Sequence, residues 1–276
     1  MSARFVGYWL GYVSNIQNLN LLNAIPSVVT NVNLFVAGIT DTGSQLNTNY
    51  LCKNYEPAQL IAWSKDLQNQ NTQVSMTLMD SGSIHWNDVD IATYVASVND
   101  VAMGTWGMNG IDIDAESGMD PSVYVATMVN LVTSMRTAIG NDALLTYTCY
   151  TYGQNVLYGI PDSNFDAEII PQIAGSIDWI NTMGYFWDTS AQETVFNAYA
   201  SLQNMTPEKI CIGVGCGYGD GTDFTPLDEC ETLAAWQPSS GSKCGMMMFN
   251  ENNDNTIMSG QPDWTWTNAI ANNLSS

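Results

Sequence analysis

GIDIDAE, running from Gly110 to Glu116, alternates acids with small or aliphatic side chains, and that alternation decides the fold. Successive side chains of a β-strand point to opposite faces, so Asp112, Asp114 and Glu116 share one face while Ile111, Ile113 and Ala115 share the other. Both faces are satisfied if the strand belongs to a closed barrel. The aliphatic face then meets an outer layer of helices, and the acids point inward, climbing toward the C-terminal rim where barrel enzymes keep their chemistry.

Seven further runs of the same kind surround this stretch. They are FVGYWLGYV from Phe5, NVNLFVAGIT from Asn31, QVSMTLMD from Gln73, LLTYTCYT from Leu144, IDWINTMGYFW from Ile177, KICIGVGCG from Lys209 and KCGMMMFN from Lys243. Their spacing of roughly 30–40 residues matches about 250 residues shared among eight strand-plus-helix units. The intervening segments have helical periodicity. PSVYVATMVNLVTSMRTAIG places Val125, Met128, Val129, Val132 and Met135 on one stripe, with Pro121 near its start and Gly140 as its stop. EPAQLIAWSKDLQNQN and VDIATYVASVNDVAMGTWG read the same way. The expected fold is an α/β (β/α)8 TIM barrel forming one domain over residues 1–276, since no Pro/Ser/Gly-rich linker divides the chain. An open doubly wound sheet is the runner-up, but it calls for a Gly-rich turn after the first strand, where Tyr8, Trp9 and Leu10 stand.

Composition narrows the function. Hydrophobic residues make up 45% of the 276, and 9 Trp and 13 Tyr supply ample burial. Only 12% are charged, and 6 Lys+Arg against 27 Asp+Glu give a net charge of −21. A chain with no basic patch has little to offer a phosphate backbone or an anionic bilayer, so nucleic-acid and membrane partners are not expected. No run of about 18 apolar residues suggests a membrane helix. The opening MSARFVGYWLGYVSN does not read as a signal peptide, which leaves an intracellular chain or a secreted one whose signal has been removed. One histidine, His85, argues against multi-histidine zinc sites, and it is assigned no role. The 6 cysteines contain no CxxC pair. Cys149 and Cys211 read as buried thiols, whereas Cys216, Cys230 and Cys244 lie near loops where bridges can form.

Three carboxylates in one enclosed site cannot all ionise cheaply, so at least one is expected to hold a proton near neutrality, which is how a general acid is made. Glu116, last in the row and longest, is the candidate acid, with Asp114 as its hydrogen-bond partner and Asp112 deeper. Two other readings weigh against this one: a solvated acidic strand end, and an oxygen-only site for a divalent cation. No cofactor or resident metal is expected.

NGIDIDAE, Asn109 to Glu116, resembles the DGxDxDxE signature on the fourth strand of glycoside hydrolase family 18, the chitinase family, with Asn109 in place of the leading Asp. VGYWLGY resembles the family's first strand, with Tyr8 at its inward tyrosine. QVSMTLMD stands where the family has KVxxSxGG, with Thr77 for the Ser and Met79 and Asp80 for the two glycines. TMGYFW is similar to MxYD, carrying Met183 and Tyr185 into register while Phe186 replaces the Asp. KICIGVGCG resembles the seventh-strand pattern, and Phe249 takes the place of the family's tryptophan beneath the reacting sugar.

The resemblance implies a retaining hydrolase of β-1,4-linked N-acetylglucosamine whose nucleophile is the substrate's own 2-acetamido oxygen, an exception to the two-carboxylate scheme. Glu116 then protonates the glycosidic oxygen and Asp114 orients the acetamido group. Asp112 modulates Asp114 by sharing a proton, and Tyr185 holds the acetamido oxygen. Tyr8, Met183 and Phe249 would line the sugar site, and Trp9, Tyr150, Tyr152 and Trp187 offer rings for stacking against pyranose faces. The implied partner is chitin or an N-acetylglucosamine oligosaccharide. An endo-β-N-acetylglucosaminidase cutting the chitobiose core of N-glycans carries the same acids, and a lectin or storage protein on the same barrel is the reading of another class. The absence of a long insertion after the seventh run implies a shallow, endo-acting cleft.

Overall fold

The computed structural model describes residues 3–13, 17, 19–80, 84–116, 121–216 and 225–274. Eight parallel strands form its centre: β1 Arg4–Leu10, β2 Asn31–Ile39, β3 Gln73–Leu78, β4 Gly110–Asp114, β5 Leu144–Cys149, β6 Trp179–Thr182, β7 Ile210–Gly215 and β8 Gly245–Phe249. Each pairs with the next in sequence, and β1 also pairs with β8, so the ring closes as a TIM barrel. A two-residue strand, Leu46–Asn47, adds antiparallel to the end of β2.

The helices are α1 Pro57–Gln68, α2 Ile91–Val98, α3 Pro121–Ile139, α4 Thr151–Tyr158, α5 Asp166–Ile173, α6 Thr189–Ala200, α7 Leu227–Ala235 and α8 Thr265–Asn273. The regular strand-helix alternation expected from the sequence is broken twice. Among the described residues no α-helix joins β1 to β2, where the 3-10 turn Leu22–Ala24 stands, whereas two helices, α4 and α5, join β5 to β6. The stripe on α3 is also rotated slightly: Tyr124, Met128, Leu131, Val132 and Met135 are buried, while Val125 and Val129 are half-buried at its edge. Tyr124 and Leu131 carry the stripe because they continue the i, i+4, i+7 row through Met128.

Side chains sort as the alternation requires. Ile111, Ile113 and Ala115 pack with the helical layer, whereas Val6, Tyr8, Phe35, Trp179 and Met247 fill the barrel interior. Gly110 is required because a Cβ there would lie 2.5 Å from the Leu144 backbone oxygen on β5. Gly140 ends α3 at φ +79°, a left-handed position that only glycine adopts without strain.

Basic residues gather at the N-terminal end of the ring. The Arg4 guanidinium lies 4.3 Å from the Trp179 ring centroid. Arg136 reaches Asp178 at 2.8 Å and the Ser176, Gly140 and Ala143 carbonyls at 2.7 Å each. Lys209 donates to the Ala174 and Ile177 carbonyls, and Lys243 to those of Ala234 and Trp236. Each lysine satisfies carbonyls at a helix C-terminus, where a positive charge also complements the helix dipole. All six cysteines are free thiols, and Cys149, Cys211, Cys216 and Cys230 are buried. No described helix is long and apolar enough to cross a membrane.

Candidate active site

The acid row of β4 enters the barrel as the alternation requires. Asp112 is fully buried. Its Oδ2 accepts from the Tyr8 hydroxyl at 2.7 Å and the Thr77 hydroxyl at 3.0 Å, and its Oδ1 from Thr146 at 2.5 Å, Thr148 at 3.1 Å and Asn181 Nδ2 at 3.4 Å. Burial raises its carboxyl above the usual range, and the hydroxyl donors act in the opposite direction. Thr77, standing where the resembled motif has Ser, supplies the same hydroxyl. Five donors on one carboxylate leave little room for a bridging cation, which weighs against the divalent-metal reading.

Asp114, one rung higher, is 2% exposed. Burial pushes its carboxyl well above the ordinary range, and the charges of Glu116 and Asp112, a hydrogen bond with Glu116 and the charge of Asp80 push it further. Its hydrogen bonding therefore runs upward to Glu116, while the hydrogen bonds of Asp112 run to Tyr8, Asn181 and the three threonines. Asp114 Oδ1 has no hydrogen-bond partner among the described residues. Tyr8 keeps its proton, because burial and then the charges of Asp112 and Asp114 raise its phenol well above its usual value.

Above the row opens a cleft of about 660 Å³ lined by Glu116, Met183, Tyr185, Tyr150 and Phe249, all singled out from the sequence. A small chamber of about 30 Å³ beneath it is lined by Asp114, Tyr8 and Thr148, and Glu116, Tyr185 and Phe249 border both spaces. Met183 and Tyr185 reach the cleft from just beyond the end of β6, which is shorter than the run that predicted it. Tyr185 stacks on Phe249 with centroids 5.8 Å apart and planes at 19°, and Phe249 meets Phe35 edge-on at 5.7 Å. Across the opening Tyr12 and Tyr50 stack at 4.4 Å.

Three predicted stacking residues are elsewhere. Trp9 is fully buried in the helical layer, donates its indole N–H to the Asn20 carbonyl and packs on Tyr55. The alternation that turns Tyr8 inward turns its neighbour outward. Trp187 is buried among α4 and α6, close enough to Gly153 that a Cβ there would lie 2.5 Å from the indole. Tyr152 likewise faces Tyr199 in the helical layer.

The cleft also contains residues that the sequence reading did not assign: Tyr12, Phe35, Tyr50 and Asp80, together with an exposed Phe186. Phe35 was within reach of the same period-2 argument, two residues past Asn33 on β2. Asp80 is 4% exposed, accepts the Trp86 N–H at 3.3 Å and lies 3.4 Å from His85 Nδ1, so the lone histidine borders the site. The site thus combines stacked acids, raised proton affinity and a ring-lined opening, which suits proton transfer to a neutral, flat-faced ligand.

Residues 8–248 match the family described as the endo-beta-N-acetylglucosaminidase EndoS TIM-barrel domain. No curated protein sequence matches the chain. Among solved structures, a GH18 chitinase from Pseudoalteromonas aurantia superposes with a TM-score of 0.75 at 17% identity, covering 99% of this chain and 100% of that one. A fungal endo-beta-N-acetylglucosaminidase from glycosyl hydrolase family 18 gives 0.69 at 17% identity over 97% and 96% of the two chains. A class V chitinase from Nicotiana tobaccum, solved in complex with NAG4, gives 0.72 at 14% identity over 100% and 99%. At these identities the structural likeness shows a common fold.

Proposed function

The chain belongs to the family of endo-beta-N-acetylglucosaminidase EndoS TIM-barrel domains, a glycoside hydrolase family 18 barrel, and from that membership we propose a retaining hydrolase of β-1,4-linked N-acetylglucosamine working by substrate-assisted catalysis. The observation that carries the proposal is the arrangement of the row. Glu116 borders the open cleft, and Asp114 beneath it has high proton affinity and a buried oxygen without a partner among the described residues.

In this reading Glu116 gives its proton to the glycosidic oxygen as the C1–O bond breaks. Asp114 Oδ1 accepts the acetamido N–H and turns the acetamido oxygen toward the anomeric carbon, and Tyr185 donates to that oxygen. The oxygen's lone pair forms the bond to C1, giving an oxazolinium intermediate. Glu116, now a carboxylate, removes a proton from the water that opens the ring, and configuration is retained. Holding the nucleophile within the substrate supplies on the order of 7–11 kcal/mol in favourable cases. Asp112, fixed by its five donors, acts on Asp114 through its charge rather than through a shared hydrogen bond. Phe249, stacked with Tyr185, is the apolar floor beneath the reacting sugar.

The substrate that fits this reading is chitin or a chitooligosaccharide. The N-glycan chitobiose core contains the same linkage, and the family match over residues 8–248 favours it as a second reading. Mass spectrometry of products from chitin oligomers and from a high-mannose glycoprotein distinguishes them. Shortened oligomers support the first, and released glycans leaving a single N-acetylglucosamine on the protein support the second. If wild type and Glu116→Gln are equally inert on both while binding chitooligosaccharide, the protein is a lectin and the catalytic proposal fails.

A further inference from the structure

Asn164 lies between α4 and α5, 49 residues beyond Ala115, yet its Nδ2 donates to the buried Ala115 carbonyl at 2.7 Å. Ala115 directly precedes Glu116, and its own N–H donates to the Thr148 carbonyl at 3.1 Å as a last rung between β4 and β5. The peptide leading to the acid is therefore held on both sides. Behind Asn164 the hold continues: its backbone N–H donates to Thr151 Oγ1 at 3.2 Å, and that hydroxyl lies 2.5 Å from Asp162 Oδ1 and 3.1 Å from Asp166 Oδ2. Asp166 Oδ2 also accepts from the Tyr152 N–H at 3.2 Å and the Tyr199 hydroxyl at 3.3 Å. Thr151 begins α4, whose entry residue Tyr150 and interior Gln154 line the cleft.

We propose that Asn164, backed by Thr151 and Asp166, is a positioning clamp that fixes the backbone leading to Glu116 against the α4 wall of the cleft and so sets the direction in which the acid presents its proton. The clamp rests on the reading of Glu116 as the general acid. A loop carrying an acid gains nothing from proton affinity if its carboxyl points wrongly by an ångström, so a buried amide spent on the preceding carbonyl has a catalytic return.

The clamp also depends on pH. Burial, and next the charge of Asp162, raises the Asp166 carboxyl to about 7, against the lowering effect of the Tyr152 N–H and Thr151. The groups facing it are Asp162 before α5, Tyr150 at the entry of α4, Thr151 and Tyr152 of α4, Tyr199 of α6, and Cys149 and Tyr147 of β5, with Tyr124 of α3 behind Tyr147. On the acid side of this range Asp166 is neutral. On the alkaline side two like charges flank the single Thr151 hydroxyl, and their repulsion loosens the clamp.

The test compares Asn164→Ala, Asp166→Asn and a control, Asn20→Ala, which removes a different side-chain amide bonded to the Glu251 and Asp254 carbonyls. On an aryl chitobioside, Asn164→Ala is expected to lose tenfold or more in kcat, with KM and chitooligosaccharide Kd within about twofold of wild type. Asn20→Ala is expected to lose melting temperature without that loss of kcat. Asp166→Asn, which is isosteric, is expected to abolish a fall in kcat that wild type shows above about pH 7. Unchanged kcat in folded Asn164→Ala, or an unchanged pH profile in Asp166→Asn, overturns the clamp while leaving Glu116 in its role. Full activity in Glu116→Gln instead removes the acid assignment on which the clamp depends.

Discussion

The two ends of the barrel treat charge in opposite ways. At the N-terminal end Arg136, Lys209 and Lys243 each meet backbone carbonyls, and Arg4 covers the Trp179 ring, so these four cations close helix ends or cover a ring face. At the C-terminal end Asp112, Asp114 and Asp166 are buried with raised proton affinity, and Asp114 and Asp166 each keep one oxygen without a partner among the described residues. Satisfied charge stabilises a fold, whereas buried charge left partly unsatisfied costs stability and persists where it serves chemistry. On the proposed reading of Glu116, the contrast gives stability to one end of the ring and reactivity to the other.

The largest test of that division is Glu116→Gln. Removing the acid is expected to lower kcat on an aryl chitobioside by about 10²–10⁴-fold, with the melting temperature unchanged or raised because a like charge beside Asp114 is gone. A comparable loss of activity from a change at the other end would break the comparison.

Next in size is the response of stability to pH. The raised carboxyls hold protons in the folded state that the unfolded chain releases near pH 4, so stability must fall as pH rises between those values. For Asp166, raised from 3.8 to about 7, the fall is at most about 4 kcal/mol across that window. Urea midpoints at pH 4.5 and 7.5 check the sign, and a higher midpoint at pH 7.5 would contradict it.

Lys243→Met probes the opposite end. Lys243 is 3% exposed, and its loss strands two helix-terminal carbonyls, so about 1–3 kcal/mol of stability should disappear while kcat per folded molecule stays constant. Equilibrium unfolding with parallel kinetics separates the two quantities. The smallest effect is expected at the cleft wall. Tyr150→Ala should raise KM for a tetrasaccharide by roughly 5- to 10-fold, corresponding to about 1 kcal/mol of ring contact, and leave stability nearly untouched.

The ring of strands and the acid row were legible because both follow from a period of two, which is local. Asp112, Asp114 and Glu116 lie where alternation puts them, and the same rule, applied one residue further, turns Trp9 away from the cleft. Trp187 follows a turn, where no period applies, and only the packing of α4 on α6 decides its direction. Tyr12 and Tyr50 approach each other from separate loops. The Asn164 contact with Ala115 joins an interhelical turn to a strand end, a pairing that the closure of the barrel creates and that neither segment announces. Asp80 was visible only as a departure from a glycine pattern, and its place beside His85 is set by tertiary folding that no local pattern encodes.

The six unbridged cysteines have a practical consequence. The thiols form no sulfur–sulfur crosslink in this fold, and packing, ring closure and the hydrogen bonds at the helix ends hold the barrel together, so dithiothreitol at millimolar strength should leave its unfolding curve superimposable on the untreated one.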